Sequence, residues 1–132
     1  MEVSNVSQQK QFSVEARRRS FGYAFRGMGL ILKTQHNFWI QLAMAAGVVA
    51  GGVFFQISMT EWALIVLSMT GVLVTESINT ALEIDIDLTS PEYHPYARDT
   101  KDVAAGAVLI SVIGAVIIGI IIFLPKVVTL LS

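Results

Sequence analysis

The 132-residue sequence contains no cysteine and few charged side chains. Without cysteine the chain has no disulfide, no thiolate nucleophile and no cysteine-ligated metal. Only 14% of its residues are charged and 54% are hydrophobic, whereas roughly 25% of the residues in a soluble globular protein are charged. This balance excludes an ordinary water-soluble domain and favours a membrane protein.

The common nucleotide-binding signatures are also missing. No G-x-x-x-x-G-K-[ST] loop occurs, and the segment GMGLIL at Gly27 does not complete a G-x-G-x-x-G pattern. No protein-kinase signature is present. The two histidines, His36 and His94, are far apart in the sequence and form no metal motif. Any nucleotide chemistry must therefore come from residues outside these motifs.

Three apolar stretches are each long enough, with about 20 helical residues, to cross a bilayer. We predict membrane spans at about 38–57, 62–84 and 102–124. Before them, residues 14–35 alternate apolar and basic positions at helical spacing, which predicts an amphipathic helix in the membrane interface. The predicted fold is an all-α membrane protein, with this interfacial helix and three transmembrane helices in one domain over residues 14–132. Residues 1–13 are predicted to be a disordered cytoplasmic tail.

The basic residues indicate the orientation of the chain. Six of them precede the first span, two lie between the second and third spans, and one follows the third. Because cytoplasmic segments carry the excess of Lys and Arg, the N-terminus and the 85–102 loop are expected in the cytoplasm. The loop is expected to end at a helix start, with Asp99 as the N-cap and Asp102 three residues later.

The second apolar stretch leads directly into the acidic segment TESINTALEIDIDL at residues 75–88. Its uncharged part, from Trp62 to Thr75, would span only about 21 Å as a helix. To complete a crossing the helix must continue and carry Glu76 into the hydrocarbon. At 100° per residue one set of polar side chains falls within about 60° of Glu76, whereas Asp85 falls on the opposite side. This polar stripe consists of Glu76, Asn79, Thr80, Glu83 and Asp87.

Acidic side chains inside a membrane are costly and mark functional sites by default. Two carboxylates with an amide between them suit Mg²⁺, which usually binds together with a phosphate. Glu76 could act as a general base, and Lys101 could meet a phosphate or extend to the interface as an ordinary lysine. A polar seam that holds helices together, a small cation or proton channel and an inactive membrane scaffold are the alternatives.

Four segments carry a family resemblance: FGYAFRG, ESINTALE with Asp87, PEYHPYA and KDVAAGAVL, in that order. Together they resemble the prokaryotic diacylglycerol kinase family, including its undecaprenol kinase branch, from about Phe21 to Pro125. The resemblance implies a homotrimer in the bacterial inner membrane with its active site on the cytoplasmic side. It implies transfer of the γ-phosphate of Mg²⁺-bound ATP to the hydroxyl of diacylglycerol or undecaprenol, with no nucleic-acid partner.

The same resemblance implies roles for single residues. Glu76 matches the catalytic base, and Glu83 matches the acid that binds the metal ion on ATP. Asn79 and Asp87 match further active-site positions. The residues that match nucleotide contacts are Tyr23, Glu83, Glu92, Tyr93, His94, Lys101 and Asp102. The site is expected to be shared between neighbouring chains.

The sequence departs from the family pattern at three positions. Gln35 stands where the family usually has a Glu that serves as a second metal ligand. A neutral amide oxygen is expected to bind Mg²⁺ more weakly than a carboxylate. Trp39 stands where Arg is common, and Ala16 where an N-terminal Arg often occurs.

Overall fold

A computed structural model describes residues 13–132 of the chain, and this part is all-helical. Three of its four helices are long and apolar enough to cross a membrane, which confirms the predicted all-helical architecture with three apolar spans. The helices are α1 (Val14–Thr34), α2 (His36–Phe54), α3 (Met59–Thr89) and α4 (Pro95–Leu131). The tail predicted over residues 1–13 lies, except for Ser13, outside the described residues.

Helix α1 begins where Ser13 caps it, with the Ser13 hydroxyl accepting a hydrogen bond from the Ala16 backbone N–H at 3.3 Å. No residue of α1 is buried. Its bounds agree to one residue with the helix predicted over 14–35. The exposed apolar face of α1 suits a membrane surface, and its position in the interface stays a prediction.

A tight corner joins α1 to α2. Gln35 adopts extended backbone angles between the two helices and caps the end of α1. Beyond it, the Trp39 indole N–H donates to the Leu32 carbonyl at 2.8 Å, which ties α2 back to the last turn of α1. Trp39, one of the three departures from the family pattern that the sequence resembles, thus has a structural contact.

The apolar core lies at the α2–α3 turn and is centred on Ile57, Ile65 and Ile122. Gly52 approaches Trp62 so closely that an added Cβ would lie 2.7 Å from the indole Cη2 atom. Helix α3 then starts with a capping box, in which the Ser58 hydroxyl and the Glu61 carboxylate each accept a hydrogen bond from the other residue's backbone N–H.

Helices α3 and α4 pack against each other in antiparallel orientation, with an ion pair at each end. Near the α2–α3 turn, Lys126 Nζ lies 3.0 Å from Glu61 Oε1, and both side chains are partly buried. At the other end, Lys101 Nζ contacts Asp87 Oδ1. Positions 61 and 87 are about 39 Å apart along a straight helix, close to the roughly 40–45 Å thickness of a bilayer with its headgroups. The distance between these end ion pairs therefore matches the distance between the two interfaces of a membrane.

The start of α4 differs from the sequence prediction. The helix begins at Pro95 with His94 as its N-cap, so the predicted N-cap at Asp99 is wrong. Proline is favoured in a first helical turn because its missing N–H would have no partner there, and its fixed φ suits the helix. Lys101 and Asp102 therefore lie well inside α4, which also continues past Pro125 to Leu131.

The Gly52 contact makes a prediction about stability. In Gly52→Ala the new methyl group must displace the Trp62 ring, and overpacking of this kind costs about 1–3 kcal/mol. We expect a lower thermal unfolding midpoint for the detergent-purified variant. Gly71→Ala is the matched control, since a Cβ at Gly71 meets nothing within 4 Å. Equal midpoints for both variants would contradict the packing of Gly52 against Trp62.

Candidate active site

The polar stripe of α3 faces the inside of the helix bundle along its first half. Glu76, Asn79 and Thr80 are only 3%, 8% and 2% exposed. The Thr80 hydroxyl donates to the Glu76 backbone carbonyl at 3.0 Å, which satisfies this buried hydroxyl within the helix. Asp85 is exposed, as its predicted place on the opposite side of the helix requires. The helical spacing thus identified which acid is buried.

The Glu76 carboxylate is held by a residue on the neighbouring helix. Gln41 Nε2 on α2 donates to Glu76 Oε2 at 3.1 Å. Sequence reasoning missed Gln41, because the spacing along α3 gives no information about which side chain of α2 faces it. The available signal was weak, because Gln41 shares the predicted first span with a second polar side chain, Gln56.

Asn79 and Glu83 form a second amide–carboxylate pair one turn further along α3. Asn79 Nδ2 donates to Glu83 Oε1 at 2.9 Å. The Asn79 Oδ1 atom is buried and has no hydrogen-bond partner within residues 13–132. Glu83 itself is half-buried, so its carboxylate can be reached from outside the bundle.

The donor atoms around Glu83 fit a hard divalent cation. Within residues 13–132 no group of three or more His, Asp or Glu side chains is close enough to hold a metal by itself. Mg²⁺, however, is usually bound by one or two carboxylates plus substrate phosphates and water. The Glu83 carboxylate and the unpaired Asn79 oxygen are the kind of oxygen ligands that such a site needs.

Lys101 places a cation at this end of the stripe. Its Nζ pairs with Asp87, one turn beyond Glu83, and so brings a positive charge to the same end of α3. The Asp102 carboxylate instead lies 3.6 Å from Arg98 Nε on the exposed surface of α4. Lys101 thus contacts α3, whereas Asp102, the other member of the predicted pair, contacts a residue of its own helix.

The remaining predicted site residues make no hydrogen bond or ion pair with Glu76 or Glu83 within residues 13–132. Tyr23 is 67% exposed on α1, beside a surface depression that Arg26 and Lys33 also line. Residues 92–94 are exposed in the connection between α3 and α4, and the His94 ring packs near Tyr96 at 5.6 Å between centroids. No hydrogen bond or ion pair between described side chains joins these residues, or Gln35, to Glu76 or Glu83.

Comparison with known proteins assigns the chain to a family. A family model described as prokaryotic diacylglycerol kinase matches residues 22–123. An undecaprenol kinase from Bacillus subtilis (strain 168) is 40% identical over 108 residues, which cover 82% of this chain and 88% of that protein. A diacylglycerol kinase from a Synechocystis species is 37% identical over 113 residues, which cover 85% of this chain and 65% of that protein. These matches and its three long apolar helices show that the chain belongs to the prokaryotic diacylglycerol kinase family.

Proposed function

We propose that the protein is an ATP-dependent membrane kinase that transfers the γ-phosphate of ATP to the hydroxyl of a lipid alcohol. The observation that carries the proposal is the Glu76 carboxylate, which is almost completely buried in an apolar bundle and held by an amide of the next helix. An acid at this depth can meet a hydroxyl whose hydrocarbon chains stay in the bilayer. Membership of a lipid kinase family supports the same reaction.

In the proposed reaction Glu76 acts as the general base. The lipid hydroxyl oxygen attacks the γ-phosphorus and forms a new O–P bond, while its proton passes to the Glu76 carboxylate. The bond from the γ-phosphorus to the β–γ bridging oxygen breaks, and ADP leaves with the electron pair. Positioning and charge neutralisation supply most of the catalysis in phosphoryl transfer, so the chain must bring a buried base and a charged phosphate site together.

The phosphates of ATP would bind at the exposed end of the stripe. Glu83 and Asn79 would hold Mg²⁺, which neutralises charge on the phosphates when it is bound. Lys101 would exchange its contact with Asp87 for a phosphate oxygen. Glu76 and Glu83 are about 10 Å apart along the helix axis, a distance that their side chains and a triphosphate can bridge.

The proposed assembly is a homotrimer in the inner membrane, with the N-terminus and the site on the cytoplasmic side. The basic residues that surround α1 and the α3–α4 connection support this orientation. A site completed by a neighbouring chain is supported by the exposure of these predicted site residues, which in one chain make no hydrogen bond to Glu83: Tyr23, Glu92, Tyr93, His94 and Asp102.

The proposed acceptor is either undecaprenol or diacylglycerol. The relatives that match most of this chain carry the names of both enzymes, and the resemblance of PEYHP and AAGAVL favours the undecaprenol branch. Purified protein with radiolabelled ATP and a panel of lipid alcohols tests the reaction class and the acceptor in one experiment.

Replacing the base makes the first functional prediction. Glu76→Gln keeps the shape of the side chain but cannot take the proton, and a general base contributes about 10²–10⁴-fold to a rate. We expect a loss of this size in the transfer of labelled phosphate, with assembly unchanged. Asp85→Asn, which removes an exposed acid from the same helix, is the control and should keep its activity.

Near-normal turnover in Glu76→Gln would remove Glu76 from the mechanism. The competing channel hypothesis makes the opposite prediction for liposomes that contain the protein and no ATP. A cation or proton flux that depends on Glu76, without phosphate transfer, would support the channel and contradict the kinase.

The second functional prediction concerns Lys101. Lys101→Met removes the positive charge next to the proposed phosphate site, so we expect the KM for ATP to rise about tenfold or more, because a charge-assisted hydrogen bond is lost. Lys126→Met is the matched control, since it removes the ion pair at the other end of the same two helices. An equal change in KM for both variants would indicate that Lys101 acts only by joining α3 to α4.

The third functional prediction concerns the departure at Gln35. Gln35→Glu would add the second carboxylate that the family pattern has, so half-maximal activity should need less Mg²⁺. Asn37→Asp is the control, because it adds the same charge at an exposed position two residues away. A Mg²⁺ requirement that does not change, or that increases, in Gln35→Glu would place this residue away from the metal.

A further inference from the structure

Gln41 contacts Glu76 but has no role in the reaction proposed above. It lies on α2, and its Nε2 atom reaches across the helix interface to Glu76 Oε2 at 3.1 Å. The bond joins side chains 35 positions apart in the sequence. It therefore depends on the packing of α2 against α3 and not on local helix geometry.

The side chain of Gln41 lines one end of an apolar cavity of about 170 Å³ between α2, α3 and α4. Val72 and Leu73, in the turn of α3 before Glu76, form part of its wall. The cavity extends from there toward Val48 and Gly119, and Gln41 is the only lining residue with a hydrogen-bonding side chain. Beside such apolar surroundings a hydrogen bond to a carboxylate is stronger than it would be in bulk water.

Gln41 occupies this position at a cost. Its Oε1 atom is buried and has no hydrogen-bond partner within residues 13–132. A buried polar atom without a partner is unfavourable, and an apolar side chain of the same shape would avoid the penalty. The same amide, however, donates a hydrogen bond to Glu76 through its Nε2 atom, and this bond offsets the penalty.

Asn79 and Glu83 repeat this arrangement at the other proposed acid. Asn79 donates to one oxygen of Glu83 and leaves its own Oδ1 buried and unpaired. In both pairs the amide contacts one carboxylate oxygen only, so the second oxygen remains for another partner. An amide suits this purpose because it donates a hydrogen bond without adding charge.

We infer that Gln41 is a positioning residue for Glu76, which holds Oε2 so that Oε1 faces the hydroxyl of the lipid alcohol. The inference rests on the proposed function of Glu76. A glutamate side chain has several rotatable bonds, and fixing the base in a reactive geometry accounts for a large share of enzymatic rate enhancement. Gln41 itself neither takes the proton nor binds the phosphate.

The test replaces the amide with an apolar side chain of similar shape, Gln41→Met. We expect kcat to fall about 10- to 100-fold, the effect of losing one hydrogen bond to a charged group, while the KM values for ATP and for the lipid alcohol stay within twofold. Met44→Leu, one turn away on the same cavity, is the control and should keep its kcat, since Met44 makes no hydrogen bond to Glu76. Gln41→Ala provides the same test if the Met variant fails to assemble.

A double-mutant cycle distinguishes positioning from an independent role. Glu76→Asp keeps a carboxylate but withdraws it from the reach of Gln41. If Gln41 acts through Glu76, Gln41→Met should lower kcat by less than twofold in the Glu76→Asp background. A full additional loss in that background would overturn the inference, and so would a rise in the KM for the lipid alcohol without a fall in kcat.

This inference and the proposed function fail separately. If Glu76→Gln retains transfer, the assignment of the base is wrong and Gln41 has no base to position. If Glu76→Gln loses transfer while Gln41→Met keeps kcat within twofold of the unmodified protein, only the role of Gln41 is wrong.

Discussion

A carboxylate without a partner is highly unfavourable in the hydrocarbon of a membrane, and this constraint shapes the fold around Glu76. The side chain lies on the protein-facing side of α3 and not on its lipid-facing side, where Ile78 is exposed. Gln41 donates to it from α2. Helix α4 is held along α3 by an ion pair at either end. The packing of α2, α3 and α4 thus gives this acid a protein environment within a bundle whose helices are long and apolar enough to cross a membrane.

Glu76 and Glu83 differ in their surroundings although they share one face of α3. Glu76 is buried beside an apolar cavity, whereas Glu83 is half-buried and closer to Lys101 and to the charged start of α4. A separation of two helical turns is therefore enough to place one carboxylate in a buried position and the other in a half-buried one. In the proposed reaction, a membrane-bound alcohol would use the buried acid and a soluble nucleotide the half-buried one, and the two lie about 10 Å apart along α3.

The sequence predicted the helices and the acidic stripe well, because both follow from periodicity and length along one segment. It failed where neighbouring segments decide the structure. The start of α4 depends on Pro95 in its first turn, a signal that the acids at 99 and 102 obscured. The roles of Gln41 and Trp39 depend on which residues of α2 face α3 and the end of α1. No pattern within α2 distinguishes these two side chains from other polar or aromatic residues of a membrane span.

The two end ion pairs are separated by a fixed distance along α3. Glu61 with Lys126 and Asp87 with Lys101 are separated by about 39 Å of helix, and neither pair can enter hydrocarbon without a large cost in solvation. A bilayer thicker than this span must thin locally around the protein, and a thinner one must be met by tilting of the helices. If the two ion pairs stay at the membrane interfaces, they set the depth of Glu76 in the bilayer. The acyl-chain length of the host membrane would then change how the lipid fits around the site.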